Sequence, residues 1–234
     1  MPIPLYSIQD LFISKGNEDR LMIKQFDIHR GTCYVFEGRM GSGKTTFLDA
    51  LYSRRKTQRG NIIFEEKNIH KYSNQEYQDQ IAIVPQVFNP PWGTVRNYMY
   101  KMIGKFSHIK NVEKRVEEIS KKMNLTYLLH RKMKSLTPGE IRWVVLATMI
   151  GADSKVLFID EIELHLGKKD QKTLLSILHR KINYDGVTVI LSTQNKDFLS
   201  RIASVTITLE NGRIISVRST GKKKNKYSDK RRKR

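Results

Sequence analysis

The stretch Gly38-Arg39-Met40-Gly41-Ser42-Gly43-Lys44-Thr45 constrains this chain more than any other. Its spacing, G-x-x-x-x-G-K-[ST], is that of a loop that cradles phosphate. Cys33, Tyr34, Val35 and Phe36 before it are apolar and β-prone, as in a buried strand. Phe47, Leu48 and Leu51 after it recur at helix spacing. A glycine-rich turn between strand and helix aims backbone N–H groups at the positive helix end, where an anion is stabilised. The Lys44 ammonium would add a point charge for the outer phosphates, and the Thr45 hydroxyl would hold Mg²⁺. The expected nucleotide-binding set is Gly38, Arg39, Met40, Gly41, Ser42, Gly43, Lys44, Thr45 and Thr46.

The remaining pattern alternates strands with helices. Ile62-Ile63-Phe64 and residues 81–84, 155–161 and 187–191 read as strands, and 168–181 as a helix through Leu174, Leu175 and Leu178. Residues 94–130 read as mostly helical, with Val112, Val116, Ile119 and Met123 on one face. Residues 204–217 read as a hairpin turning at Asn211-Gly212. Such alternation predicts an α/β fold with a mostly parallel sheet. With 234 residues, one domain is expected over 1–217, followed by a basic tail over 218–234. The tail carries ten Lys/Arg against one Asp, a net +9 of the chain's +20, so it reads as disordered. The longest apolar stretch, near 143–152, falls short of the roughly 18 residues a membrane span needs. The N-terminal residues carry no basic-then-apolar signal. The single cysteine, Cys33, allows no disulfide within the chain, and with six histidines it forms no zinc-ligand spacing.

Asp160 closes an apolar run, the position from which a carboxylate steadies Mg²⁺ through water. Glu161 follows, and strand alternation would point it elsewhere, toward an attacking water. Either acid alone would pass as a solvated strand end; beside the phosphate loop they form a site. Gln86, just past another strand end, can offer its carbonyl oxygen to the same ion, so the expected metal set is Thr45, Gln86 and Asp160. Thr137-Pro138-Gly139-Glu140 is a capping box, with Thr137 as N-cap, Pro138 at N1 and Glu140 at N3 of a helix running to about residue 150. That helix end is either simply well capped or presented to a phosphate.

In the order loop, Gln86, "LTPGE", "VLFIDE" and "VTVILSTQ", the chain resembles the ATP-binding cassette (ABC) superfamily across nearly all of 1–217. The resemblance implies a P-loop NTPase fold with an N-terminal β subdomain and a helical signature subdomain at about 88–150. It implies ATP and Mg²⁺ as ligands and a homodimer that sandwiches two ATP molecules. Thr137 and Gly139, with Glu140, would meet the ATP bound by the second copy. Glu161 would orient the water, and Gln194 stands where the family has a switch histidine. "TVRNY" and the segment 185–214 look most like the FtsE cell-division ATPases, peripheral subunits that pair with the membrane protein FtsX and regulate cell-wall hydrolysis. Small exporter and lipoprotein-release ATPases are also similar. The implied place is the cytoplasmic face of the cell membrane. The implied partner is an integral membrane protein, FtsX-like or a permease, docking near "VFNPPWGTVRNY" with Phe88 and Trp92 as anchors.

The chain also departs from that pattern. Gln194 can hydrogen-bond a phosphate but cannot become cationic. Gly167 replaces an aspartate that crosses the dimer interface, and Pro138 replaces the first signature glycine. Trp143 and Thr148 stand where the signature helix often has arginine. Phe12, the nearest aromatic to the adenine-stacking position, is out of register. These departures point to slow turnover, not to loss of ATP binding. Two other readings share the fold. A nucleic-acid-associated ATPase would suit the charge, but neither a long coiled coil nor a second cassette accompanies it, so nucleic acid is not the expected partner. A weakly active nucleotide-binding scaffold would follow if Gln194 and Gly167 abolish turnover. The basic tail's expected target is anionic lipid, unless it serves solubility alone.

Overall fold

Two sheets meet across the helix that follows the phosphate loop, in a computed structural model that describes residues 3–15, 18–52, 57–194, 199 and 201–220. β1 (Tyr6–Lys15), β2 (Glu18–Ile28), β4 (Arg59–Phe64) and β5 (Lys67–Asn68) form a four-stranded antiparallel sheet in the order β2-β1-β4-β5. β3 (Cys33–Glu37), β6 (Ile81–Val84), β7 (Val156–Ile159), β8 (Thr188–Thr193), β9 (Val205–Glu210) and β10 (Arg213–Ser219) form a six-stranded sheet in the order β10-β9-β3-β8-β7-β6. Every pairing in it is parallel except β9 with β10.

β3 and β8 are buried along their whole length, which is why their sequences run apolar instead of alternating. One face of the six-stranded sheet packs through Phe36, Phe158 and Ile190 on α1 (Lys44–Tyr52) and on Tyr6, Phe26 and Phe64 of the antiparallel sheet. The Phe36 and Phe47 rings lie 4.6 Å apart and those of Tyr6 and Phe158 6.3 Å, so aromatic contacts join the layers. The other face packs through Val35, Leu157 and Val189 on α3 (Val95–Ile103), α4 (Val112–Lys122), α5 (Pro138–Gly151) and α6 (Lys168–Asn183). A short α2 (Asn74–Gln78) precedes β6. Among the described residues no helix is long and apolar enough to cross a membrane.

Residues 94–130 are not one helix. α3 stops at Gly104, and α4 restarts where the Asn111 side chain accepts the Lys114 N–H at 2.9 Å. Val116, Ile119 and Met123 do face the core. Asn211 and Gly212 both take positive φ, 47° and 72°, the conformation of a two-residue turn that matches strand twist. β10 runs through Ser219, and the Thr220 N–H donates to the Ser204 carbonyl at 2.8 Å, so regular backbone passes the expected boundary at 217. Residues 221–234 of the expected tail lie outside the described residues.

Candidate nucleotide site

Between β3 and α1 the backbone turns left-handed at Gly38, Gly41 and Gly43, with φ of 152°, 79° and 105°. A Cβ at Gly38 would sit 2.4 Å from the Leu209 carbonyl oxygen and 2.6 Å from Ser42 Oγ, so only glycine fits there. The loop is braced from outside. The Gly212 N–H donates to the Ser42 carbonyl at 3.0 Å, and the Met22 N–H donates to the Gly212 carbonyl at 2.8 Å. Lys44 is 6% exposed, and its Nζ donates to the carbonyls of Gly38 at 2.7 Å and Arg39 at 3.0 Å. Ser42 Oγ is buried with no hydrogen-bond partner. Thr45 is exposed in the first turn of α1 and Thr46 is half-buried. A cavity of about 660 Å³ opens over residues 37–42, with Gln194 on its rim and Met40 85% exposed. An orphaned hydroxyl, a lysine tied to loop carbonyls and a positive helix end fit a phosphate chain.

The carboxylates gather at the end of β7. Asp160 is 2% exposed and accepts the Ser192 hydroxyl, and its own N–H donates to the Val84 carbonyl at 3.0 Å. Strand alternation does not set the direction of Glu161, because β7 has already ended at Ile159. Glu161 takes a left-handed φ of 48°, and its N–H donates to Ser192 Oγ at 2.8 Å. Its Oε1 accepts the Gln194 Nε2 at 2.6 Å. Glu163 Oε1 accepts the Gln194 N–H at 2.7 Å and the Thr193 hydroxyl at 3.0 Å, while Glu163 Oε2 is buried with no partner. Gln194 is thus clasped by two carboxylates. Ser192 and Glu163 escaped the sequence reading; the only available signal was a third acid two residues past Glu161.

The capping box forms as expected. The Thr137 N–H donates to Glu140 Oε2 at 2.8 Å, and the Glu140 N–H donates to Thr137 Oγ1 at 3.3 Å. The Thr137 N–H, then its hydroxyl and the Arg131 guanidinium, hold the Glu140 carboxyl below the usual range. Sequence reading passed over Arg142. It is 5% exposed, and its guanidinium donates to the carbonyls of Pro85 at 2.5 Å, Asp160 at 2.6 Å and Glu161 at 2.9 Å. One side chain therefore ties α5 to the ends of β6 and β7. Burial pushes it down to about 10, against the pull of Asp160, Glu161 and Glu163. Trp143 and Thr148 are packing residues, with Trp143 Nε1 donating to the Met123 carbonyl at 2.9 Å and Thr148 Oγ1 to the Val144 carbonyl at 2.7 Å.

Gln86 is not on the loop cavity. It lines a neighbouring groove with Phe88, Ile141 and Leu164. Phe88 packs on Tyr98 at 5.5 Å, whereas Trp92 is 86% exposed beneath the Lys134 ammonium. Phe12 carries the Arg59 guanidinium 5.9 Å from its ring centre. Gly167 is the N-cap of α6, with an ordinary φ of −69° and no side-chain cap.

Known proteins are similar in sequence and in fold. The chain is 26% identical over 189 residues to the cell division ATP-binding protein FtsE of Streptococcus pneumoniae, covering 79% of this chain and 82% of that protein. It is 25% identical over 195 residues to a putative ABC transporter ATP-binding protein of Clostridium tetani, covering 82% of this chain but 44% of that protein's length. A bacterial ABC transporter cassette solved as a dimer superposes with a TM-score of 0.82 at 21% identity, over 92% of this chain and 98% of that one. A family model described as ABC transporter matches residues 21–163, more than half of the chain and a span that holds the phosphate loop, Arg142 and the Asp160–Glu161 turn. By that match the protein belongs to the ABC transporter ATP-binding family.

Proposed function

We propose that this chain is the ATP-binding and ATP-hydrolysing subunit of an assembly with an integral membrane partner, FtsX-like or a transporter permease. The observation that carries the reading is the 2.6 Å contact from Gln194 to Glu161, beside a loop whose lysine is buried. Residues 38–46 hold the triphosphate, Lys44 exchanging its two loop carbonyls for outer phosphate oxygens. Mg²⁺ supplies charge neutralisation at the phosphates when bound. Thr45 and Asp160 would hold it with one hydroxyl and one carboxylate, a set suited to an ion shared with a substrate. Gln86, which lines a separate groove, would join them only by turning toward the loop. Glu161 orients the attacking water and takes up its proton. Gln194 turns its amide from Glu161 to the outer phosphate. That exchange trades one charge-assisted bond for another and brings no positive charge to the outer phosphate, so turnover is slow.

Thr137 is exposed at the N-terminus of α5, which supports its closing, with Gly139 and Glu140, on nucleotide held by a second copy. The ATPase domain takes in β10 through Ser219 and so passes the expected boundary at 217, with the helical portion at about 88–150 meeting the partner near Phe88 and Trp92. The basic residues beyond it favour anionic lipid, which supports a peripheral position on the cytoplasmic face. The similarity to FtsE supports a role in cell division. Glu161→Gln tests the reading: with Mg-ATP the variant should bind nucleotide at parental affinity and persist as a dimer in light scattering. A variant that binds ATP yet stays monomeric would overturn the paired arrangement.

A further inference from the structure

The ends of three helices, α4 at Lys122, α5 at Gly151 and α6 at Asn183, converge at the opposite end of the parallel strands from the phosphate loop. The loop follows the C-terminal end of β3, whereas α5 ends just before β7 begins. Between the helix ends lies a cavity of about 360 Å³ lined by Arg115, Glu118, Lys122, Arg180 and Lys181. Arg115 pairs with Asp153 at 2.5 Å and Glu118 at 3.7 Å, and Lys181 pairs with Asp153 and, at 3.0 Å, with Asp185. Those two cations engage every carboxylate of the cluster. Lys122 and Arg180 form no ion pair among the described residues.

Helix C-termini carry partial negative charge that attracts cations, and hydrogen bonds to their carbonyls offset only part of it here. The Met123 N–H donates to Ile119, the Tyr184 N–H to Arg180 and the Ala152 N–H to Thr148, while Arg115 Nε covers the Gly151 carbonyl at 2.8 Å. The Lys122 ammonium is pushed below the ordinary lysine range, by burial first and then by Lys181 and Arg180, against the pull of the Asp185 carboxylate. Four cations, Arg115, Lys122, Arg180 and Lys181, thus face three carboxylates, and Lys122 and Arg180 are the two left without an ion pair among the described residues.

We propose that this cavity is a second anion site, at which Lys122 and Arg180 hold a phosphate-bearing ligand. A phosphate group carries nearly two negative charges, which match the two unpaired cations. The Arg180 fork can take two oxygens in its plane, and Lys122 adds a point charge. A lipid headgroup and a free polyphosphate offer the same chemistry. The site is separate from the nucleotide loop and stands whether or not the chain hydrolyses ATP.

Equilibrium dialysis of the full chain against labelled inorganic pyrophosphate, with ADP saturating the loop, tests this. The comparison sets the parent beside Lys122→Gln/Arg180→Gln and beside Lys105→Gln/Lys169→Gln, which removes equal charge from exposed positions elsewhere. Parent and control should bind pyrophosphate alike, and the cavity variant about tenfold or more weakly, a loss of roughly 1.4 kcal/mol or more. Equal binding by all three, or equal weakening of both variants, would overturn the site in favour of general charge attraction. Flotation with phosphatidylglycerol vesicles then separates the sources. Vesicle binding lost only in the cavity variant assigns a lipid headgroup, and vesicle binding unchanged beside lost pyrophosphate assigns a free phosphate compound.

Discussion

Arg142→Met should loosen the ends of β6 and β7 together. Methionine keeps an apolar stem of similar reach but donates nothing. The substitution removes three hydrogen bonds from a charged donor, at 2.5, 2.6 and 2.9 Å. Each such bond is worth about 1.5–3 kcal/mol. Against that loss stands the relief of a buried cation, whose Nε has no partner and whose ionisation burial already opposes. Replacing a buried ion by an apolar group commonly returns about 1–4 kcal/mol, but here the carbonyls of Pro85, Asp160 and Glu161 stay behind unpaired. The expected net loss is about 2–4 kcal/mol of unfolding free energy. Urea unfolding followed by the fluorescence of the neighbouring, buried Trp143 measures it, with the slope against urea unchanged. Pro85 precedes Gln86 and the Glu161 carbonyl belongs to the residue proposed to orient the water, so kcat should fall more than KM rises. A midpoint within about 0.5 kcal/mol of the parent would refute the claim that the guanidinium holds the strand ends.

Gln194→His should raise basal hydrolysis about tenfold, because a cationic donor can follow charge onto the outer phosphate where an amide cannot; an unchanged steady-state rate would place the limit elsewhere. Burial alone would raise the Asp153 carboxyl, but Lys181 and Arg115 outweigh it and hold it low. Its pairing therefore stabilises the fold above the unfolded value of about 3.9 and is lost as pH falls through the lower folded value. Asp153→Asn should cost about 1 kcal/mol at neutral pH, after solvent screening, and nothing once both states are protonated; parallel pH–stability curves for the two proteins would contradict this. Deleting 221–234 should leave the thermal midpoint unchanged and weaken binding to anionic vesicles by about 1 kcal/mol per basic residue near the surface; equal flotation before and after truncation would leave the tail without a lipid role.

What the sequence disclosed is what local spacing controls. The phosphate loop, the capping box of α5 and the Asn211-Gly212 turn each depend on residues within a few positions, and each formed as read. The buried runs of β3, β7 and β8 were legible because strands covered on both faces must be apolar throughout. β1 was harder. Tyr6 and Ile8 are buried in alternation, but Asp10 takes a left-handed φ of 48° and the buried phase resumes at Leu11 and Ile13. That shift hides the period of two from any fixed window. Residues 94–130 read as mostly helical because Val95, Tyr98, Met99 and Ile103 keep helical spacing in α3 and Val112, Val116 and Ile119 in α4. That spacing does not mark the break between them.

The carboxylate cluster was legible only in part. Gln194 meets Glu161 and Glu163 because β8 pairs with β7, a contact across some thirty residues that no local pattern records. Glu161 owes its direction to a left-handed backbone and the Ser192 hydroxyl, not to strand alternation. Arg142 was overlooked because arginine was sought one residue later, where Trp143 now fills the core. From its own position on α5 it reaches three carbonyls on two strand ends.

Phosphate release from Mg-ATP by the purified chain, compared with Lys44→Ala and Glu161→Gln, tests the central claim most directly. The parent should hydrolyse ATP, slowly but measurably. Lys44→Ala should lose nucleotide binding, since it removes the ammonium now held at 2.7 and 3.0 Å by the loop. Glu161→Gln should retain binding and lose at least about a hundredfold in rate, the ordinary worth of a positioned base. Phosphate release at the parental rate by Glu161→Gln would contradict the assignment of that carboxylate to the attacking water.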